Sequence, residues 1–225
     1  MNKLAVVCAF EHEAVPYIGS LIGETQTNFY DGRTCHKTGE PLQFAFHEGK
    51  LFGREAVVGI IGVGHNNAVL GTQILLGNHD VELVILSGVC GGLSNNLGIG
   101  DVVVAEQIMC VNENQIYQTS NKFSEMAKAV TTVGNFAAVN HFVKDEEREN
   151  LGLSTGTIVV DCESGAVAKV CTDIGVDFAV AKGLTDGIGC TGKGNWWSHV
   201  PTASKNAFDV VSKSLTLDKL LGVEV

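Results

Sequence analysis

The sequence predicts an α/β protein, a three-layer α/β/α sandwich with a mixed, largely parallel central sheet, folded as a single domain over residues 1–225. Two patterns predict it. A continuous apolar run (Leu4 to Phe10) and largely apolar ones (Val81 to Leu86, Val176 to Leu184) are what strands buried on both faces require. Segments of helical periodicity lie between them, and alternating strands and helices place helices on both faces of a largely parallel sheet. With 45% hydrophobic residues and only 3 Pro, the chain can fill such a core and carries few disorder signals.

Glu11 to Leu21 reads as a helix after the first strand, and Pro16 must sit early in it or kink it. Residues 29–61 hold short alternating pieces, Gln43 to His47 and Ala56 to Ile61, of antiparallel or mixed type. Gly62-Val63-Gly64 makes a turn, and Asn66 to Leu76 is helical with Asn66 as its cap. The strand Val81 to Leu86 runs into Ser87-Gly88-Val89-Cys90-Gly91-Gly92, expected as a loop almost free of side chains, and a strand follows over Asp101 to Ala105. Ser120 to Val130 reads as a helix, and the charged residues 141–150 as a solvated loop or short helix. Ile158 to Val160 is a short strand, Glu163 to Thr172 a helix and Val176 to Leu184 a strand. Ser204 to Leu215 is a last helix capped by Thr202 or Ser204.

Charge and cysteine usage exclude several function classes. The formal net charge is -10 and no window gathers Lys and Arg, which argues against nucleic acid and anionic membranes as partners. No apolar run approaches the ~18 residues of a membrane span. Acidic Glu11 and Glu13 directly follow the first apolar run, so that run reads as a strand end and not a signal peptide. The seven cysteines (Cys8, Cys35, Cys90, Cys110, Cys162, Cys171, Cys190) are odd in number, with no Cys-x-x-Cys pair and no metal-type spacing. That pattern points to a reducing, cytoplasmic setting. Gly62-Val63-Gly64-His65-Asn66-Asn67 has Asn where a dinucleotide fingerprint needs its third glycine, so a tight turn is the better reading.

In sheets of this kind ligands sit beyond the carboxyl ends of the strands. Four segments occupy that position: Ala9 to Glu13, Ser87 to Gly92, Asp161 to Glu163, and Thr185-Asp186; three of them deliver a carboxylate. The glycines of Ser87 to Gly92 let a ligand lie on backbone amides, or let a helix pack closely. Asp186 ends a buried strand, where lost solvation should raise its pKa and suit it to general-acid work, unless it caps a turn. Glu163 opens a helix, as a ligand-binding acid or as a partner of the helix dipole. Glu13 reads equally as a base and as a solvated first-turn acid. His36, His47, His65 and His79 show no ligand spacing, and Cys90 and Cys162 lack a neighbouring His or Lys in sequence to activate them. Trp196-Trp197 is either a lid over the pocket or packing for the last helix.

These segments, in this order, resemble the nucleoside phosphorylase superfamily, most closely its 5′-methylthioadenosine/S-adenosylhomocysteine nucleosidase branch. Ala9-Phe10-Glu11-His12-Glu13, Ser87 to Gly92 with Gly100-Asp101-Val102-Val103, Val160-Asp161-Cys162-Glu163-Ser164 and Thr185-Asp186 carry the likeness from Leu4 to about Leu215. The resemblance implies hydrolysis of the N-glycosidic bond of an adenine nucleoside, with Glu13 as base toward water and Asp186 as acid toward the purine. It implies that Glu163 binds the ribose hydroxyls, with Cys162, Val89, Cys90, Gly91 and Thr185 around the substrate and Phe136 as the aromatic on the base. Lys182 stands where the family has Arg, and Val89 where it often has a hydroxyl residue. A cytoplasmic homodimer with a small-molecule nucleoside substrate, no cofactor and no metal, serving purine and methionine salvage, completes the expectation.

Two alternatives stay open. Phosphorolysis needs cationic clamps, and neither the Glu11–Glu13 loop nor Ser87 to Gly92 carries Arg or Lys. A nucleoside-binding or storage protein without turnover remains possible because fold does not fix function.

Overall fold

The computed structural model describes residues 3–34, 41–189 and 195–220; Cys35, His36 and Cys190 lie outside the described residues. The chain runs β1 (Lys3–Cys8), α1 (Glu11–Ile18), β2 (Ile22–Thr34), β3 (Pro41–Leu51), β4 (Arg54–Ile60), α2 (His65–Asn78), β5 (Val81–Gly92), β6 (Val102–Cys110) and β7 (Gln115–Gln118). It continues with α3 (Asn121–Ala127), β8 (Thr132–Ala138), α4 (Asp145–Thr155), β9 (Val159–Asp161), α5 (Ser164–Ile174), β10 (Asp177–Asp186) and α6 (Trp196–Leu220). One mixed sheet takes its strands in the order β2-β3-β4-β1-β5-β9-β8-β6-β10. It curls far enough for β10 to pair with β5 as well as β6.

The central pairings β4–β1, β1–β5 and β5–β10 are parallel, while the β2–β3–β4 flank is antiparallel. Alternation along these strands divides the core into two layers. Ala5, Val7, Val57, Val84, Leu86 and Val180 pack with Leu75 of α2 and Val167 and Cys171 of α5. Leu4, Val6, Val58, Ile85, Ala179 and Ala181 pack with Tyr17 of α1, Phe123 of α3 and Val211 of α6. Both faces are buried, which is why the central strands read as largely apolar runs. Each fully buried Val, Leu or Ile contributes roughly 1.5–3 kcal/mol. The helices therefore sit on both faces, and the three-layer sandwich stands.

Several boundaries differ from the sequence expectation. Ser87 to Gly92 is not a loop. Those residues are the second half of β5, paired in parallel with β10 (Lys182 opposite Gly88, Leu184 opposite Cys90) and antiparallel with β9 (Gly91 opposite Val160). Hydrogen bonding on both edges holds a strand that has few side chains of its own. Asn66 does not cap α2; Gly64 stands at the N-cap with φ 84°, a conformation natural to glycine, and Asn67 Nδ2 donates to the Val63 carbonyl. The last helix starts at Trp196, eight positions before Ser204, and contains Pro201. Neither Thr202 nor Ser204 is its cap, and the Ser204 side chain is buried in the helix. β8 carries no strand signal that periodicity could isolate, because it is short and only its second half is buried.

Candidate active site

Glu13 is on the first turn of α1, yet it is 1% exposed and not a solvated acid. Its carboxylate accepts the Val89 N–H at 2.7 Å and the Ala9 N–H at 2.7 Å, which pins it between the end of β1 and the glycine half of β5. A Cβ at Gly88 would land on this carboxylate. The protein's own acid therefore takes the space that the glycines leave at this point. Burial pushes the Glu13 carboxyl up and Glu163 adds to it. Lys182 and the two backbone N–H groups pull the other way, and the balance leaves it at about 7.

Glu163 lies between β9 and α5 and is also buried. It does not serve the helix start. Asp161 does that, accepting the Ser164 N–H at 3.2 Å as well as the Ser164 hydroxyl. Glu163 is thus free to accept the Gly64 N–H at 2.8 Å and to face Lys182 Nζ at 3.3 Å. Lys182, on β10, is 0% exposed and also meets Asp161 at 3.1 Å. Burial works against the lysine charge, but Asp161, Glu163 and Glu13 outweigh it and hold the ammonium well above the usual lysine pKa. Three buried acids thus surround one cation. The cluster carries excess negative charge, consistent with a proton staying on Glu13 up to near neutrality.

At the other end, the β5–β10 pairing slips between Leu184 and Asp186, and such a bulge re-aims the next side chain. Asp186 is the last residue of β10 and pairs with Gly91 beyond the slip. Thr185 Oγ1 lies 3.4 Å from Asp186 Oδ1 and donates to the Cys90 carbonyl at 3.3 Å. Thr185 is itself buried, so it orients Asp186 and presents little surface to a ligand. Asp186 Oδ2 accepts from Arg148 Nη2 at 2.5 Å. Sequence reasoning missed Arg148, which sits in the charged stretch 141–150 expected to be solvated. Here it is 4% exposed, with its guanidinium against Gly91, where an added Cβ would stand 2.6 Å from Nη1. The Asp186 surroundings are thus ionic and partly open, with 19% of its side chain exposed, not the dehydrated apolar pocket expected.

The remaining expected residues divide. Val89 spends its N–H on Glu13, and Cys90 is buried with its thiol pushed up by desolvation. Cys162 lies beside Glu163, faces the His141 carbonyl at 3.6 Å, and has its thiol raised by burial to about 12. Neither cysteine is a thiolate near neutrality. Phe136 is misplaced as the stacking aromatic. It is 0% exposed on β8, opposite Ile108 and Val159, inside the core layer. The exposed aromatic nearby is Phe142, between β8 and α4, 65% exposed with Arg148 Cζ 6.0 Å from its ring centre. Trp197 stacks on Phe10 at 5.4 Å and meets His12 edge-on at 5.2 Å, so the start of α6 abuts the Glu13 turn. His199, two residues on, approaches the Thr185 carbonyl through Nδ1 at 2.8 Å. Among the described residues no group of three or more His, Cys, Asp and Glu side chains is arranged to hold a metal ion.

Comparison with known proteins finds a family model and relatives that cover most of the chain. The family model described as the Phosphorylase superfamily matches residues 3–216. A 5′-methylthioadenosine/S-adenosylhomocysteine nucleosidase of Geobacillus kaustophilus is 27% identical over 199 residues, 77% of this chain and 85% of that protein. The crystal structure of the nucleosidase of the same name from Colwellia psychrerythraea, in complex with adenine, superposes with a TM-score of 0.84 at 22% identity, covering 96% of this chain and 95% of that one. A futalosine hydrolase of Helicobacter pylori superposes with a TM-score of 0.81 at 22% identity, covering 96% and 98%.

Proposed function

The chain belongs to the phosphorylase superfamily, and from that premise we propose that it hydrolyses the N-glycosidic bond of adenine nucleosides of the methylthioadenosine or S-adenosylhomocysteine kind. The products are adenine and the free ribose derivative. The observation that carries this reading is the set of three carboxylates, Glu13, Glu163 and Asp186, gathered around the glycine half of β5.

In this reading a water attacks the anomeric carbon while the bond to N9 breaks, through an oxocarbenium-like sugar. Glu13 takes the proton from the water, and its pKa near 7 suits a base that works near neutrality. Asp186 gives its proton to N7, so the base leaves neutral, and a carboxyl that donates to N7 and accepts from a 6-amino group suits adenine. Glu163, aimed by Lys182 and the Gly64 amide, accepts from the ribose hydroxyls. Phe142 takes over from Phe136 as the aromatic available to cover the base, because it is exposed and borders Arg148. Val89, Cys90, Gly91 and Cys162 line the substrate mainly through backbone and packing. Both buried cations, Lys182 and Arg148, are already engaged with acids, which favours water over phosphate as the attacking group.

We take the protein to act as a single-domain, cytoplasmic homodimer. The five described cysteines without a disulfide support a reducing setting. Val63, 59% exposed beside the glycine that binds Glu163, supports a subunit contact close to the site. The test is turnover of methylthioadenosine in phosphate-free buffer, which should release adenine and free methylthioribose at a rate that added phosphate does not raise. Dependence on phosphate with a sugar 1-phosphate product would replace this reading with phosphorolysis.

A further inference from the structure

The helix that carries Glu13 is poorly equipped to hold itself in place. α1 has eight residues, its N-cap Phe10 makes no side-chain hydrogen bond, and Pro16 lies inside it with no N–H to give to the His12 carbonyl. An isolated helix shorter than about 12–15 residues is marginal in water, so this one depends on its ties to the sheet. Glu13 supplies one tie, through the Val89 N–H of β5. A proton on that carboxylate weakens it, because charge-assisted hydrogen bonds are roughly twice as strong as neutral ones. A base that takes up a proton in every turnover therefore loosens its own anchor.

A second tie lies one turn along the same helix face. Tyr17 follows Glu13 by four positions, and its hydroxyl donates to Ser87 Oγ at 2.7 Å, two residues before Val89 on β5. Both side chains are buried, and the Tyr17 ring meets Phe208 of α6 edge-on at 5.0 Å. Burial above all, with Cys8 and Glu13 adding to it, pushes the phenol well above its usual range. Tyr17 thus stays a neutral donor whatever the state of Glu13.

Resting on the hydrolytic reading of Glu13, we propose that Tyr17 is a positioning residue for this reaction. Its bond to Ser87 keeps α1 in place on β5, so that Glu13 returns to the same two backbone amides after each proton transfer. Being fully buried, Tyr17 reaches neither the water nor the nucleoside, and it acts only through the place of the Glu13 carboxylate. Without the tie, the Val89 and Ala9 N–H groups hold the carboxylate less closely. Its charged form loses support, and its proton stays on to higher pH. The rival explanation is a buried hydrogen bond that adds to stability alone.

The experiment compares wild type, Tyr17→Phe, Ser87→Ala and the double variant. It follows methylthioadenosine hydrolysis across pH and, separately, the titration of Glu13 through its infrared carboxyl band, assigned with Glu13→Gln. Tyr17→Phe keeps the ring against Phe208 and removes one oxygen. It should lower kcat about ten- to hundredfold, the scale of a small misplacement, with KM nearly unchanged. The infrared midpoint, and with it the acid limb of kcat/KM, should move to higher pH than in wild type. Ser87→Ala should do the same, and the double variant should go no further than either single one, as two ends of one bond require. A midpoint that stays put or falls overturns the proposal even where the variants melt lower, and so does an additive loss in the double variant. Should Tyr17→Phe fail to fold, Ser87→Ala, which removes one atom from β5, decides by the same midpoint. Should wild type leave methylthioadenosine intact, the hydrolytic reading falls, and the infrared midpoints alone decide whether Tyr17 sets the place of Glu13.

Discussion

Glu13 and Asp186 are both acids beside the glycine half of β5, yet their surroundings are opposite. Glu13 is sealed in, held by two backbone N–H groups and faced by a buried lysine that two further acids share. Asp186 is partly open, and its main partner is a long side chain from another element, α4. The Val89 amide sits in a paired strand and the Ala9 amide directly follows β1, so the Glu13 side is preorganised and can stabilise developing charge with little reorganisation. A guanidinium on a flexible stem can rearrange. In the proposed reading, chemistry at the sugar belongs to the rigid end and contact with the base to the partly open one.

The largest effect should come from the open end. Asp186→Asn is expected to reduce kcat by about 10²–10⁴-fold, the usual loss of a general acid, and to melt somewhat lower because Arg148 loses its carboxylate. Near-normal turnover in a folded Asp186→Asn protein would move the acid elsewhere and dissolve the division of labour. The rigid end should instead break through stability. Lys182→Met strands three buried acids and should cost about 3–5 kcal/mol in urea unfolding. That deficit should shrink at low pH, where the carboxylates are protonated in folded and unfolded chains alike. A neutral result at pH 8 would mean that the cluster is not held by its cation.

A smaller, graded effect concerns Glu13. A base with a pKa of about 7 is protonated below that pH, so kcat/KM should fall as pH drops through 7, tenfold per unit at the limit. The same raised pKa works on stability in the opposite sense. The folded state binds the proton more tightly than the unfolded chain, so this group's contribution is full below about 4.5, falls as pH rises toward 7, and is flat beyond. A pH–rate profile paired with a pH series of urea midpoints separates the two. An activity limb centred near 4.5 would show that Glu13 is not the base or is not sealed.

Most of the architecture was legible because the central strands are buried on both faces and announce themselves as apolar runs. The acids were legible because each ends or follows such a run. What the sequence concealed were relations carried by hydrogen bonds and distance. Ser87 to Gly92 looked like a loop because pattern reading sees side chains and not ladders. Glu163 read equally as a ligand-binding acid and as a partner of the helix dipole until the Ser164 contacts showed that Asp161 serves the helix start. Arg148 was hidden in a charged stretch whose composition gives no hint that one guanidinium turns inward. Phe136 and Phe142, six positions apart, differ only in which side of a strand end they fall on.

The strand that carries the site has a further consequence for how the protein is made. β5 is flanked by β1, from the start of the chain, and by β9 and β10, which end at residues 161 and 186. A nascent chain that has emerged from the ribosome only as far as α4 has the glycines of β5 and both amides that hold Glu13. It lacks the strands that straighten one and the lysine that neutralises the other. Non-local pairing of this kind is slow to form, and its unpaired edge is exposed to other chains meanwhile. Truncation before β10 should therefore yield insoluble protein and no weakly active fragment, so the catalytic pocket arrives late in synthesis and all at once.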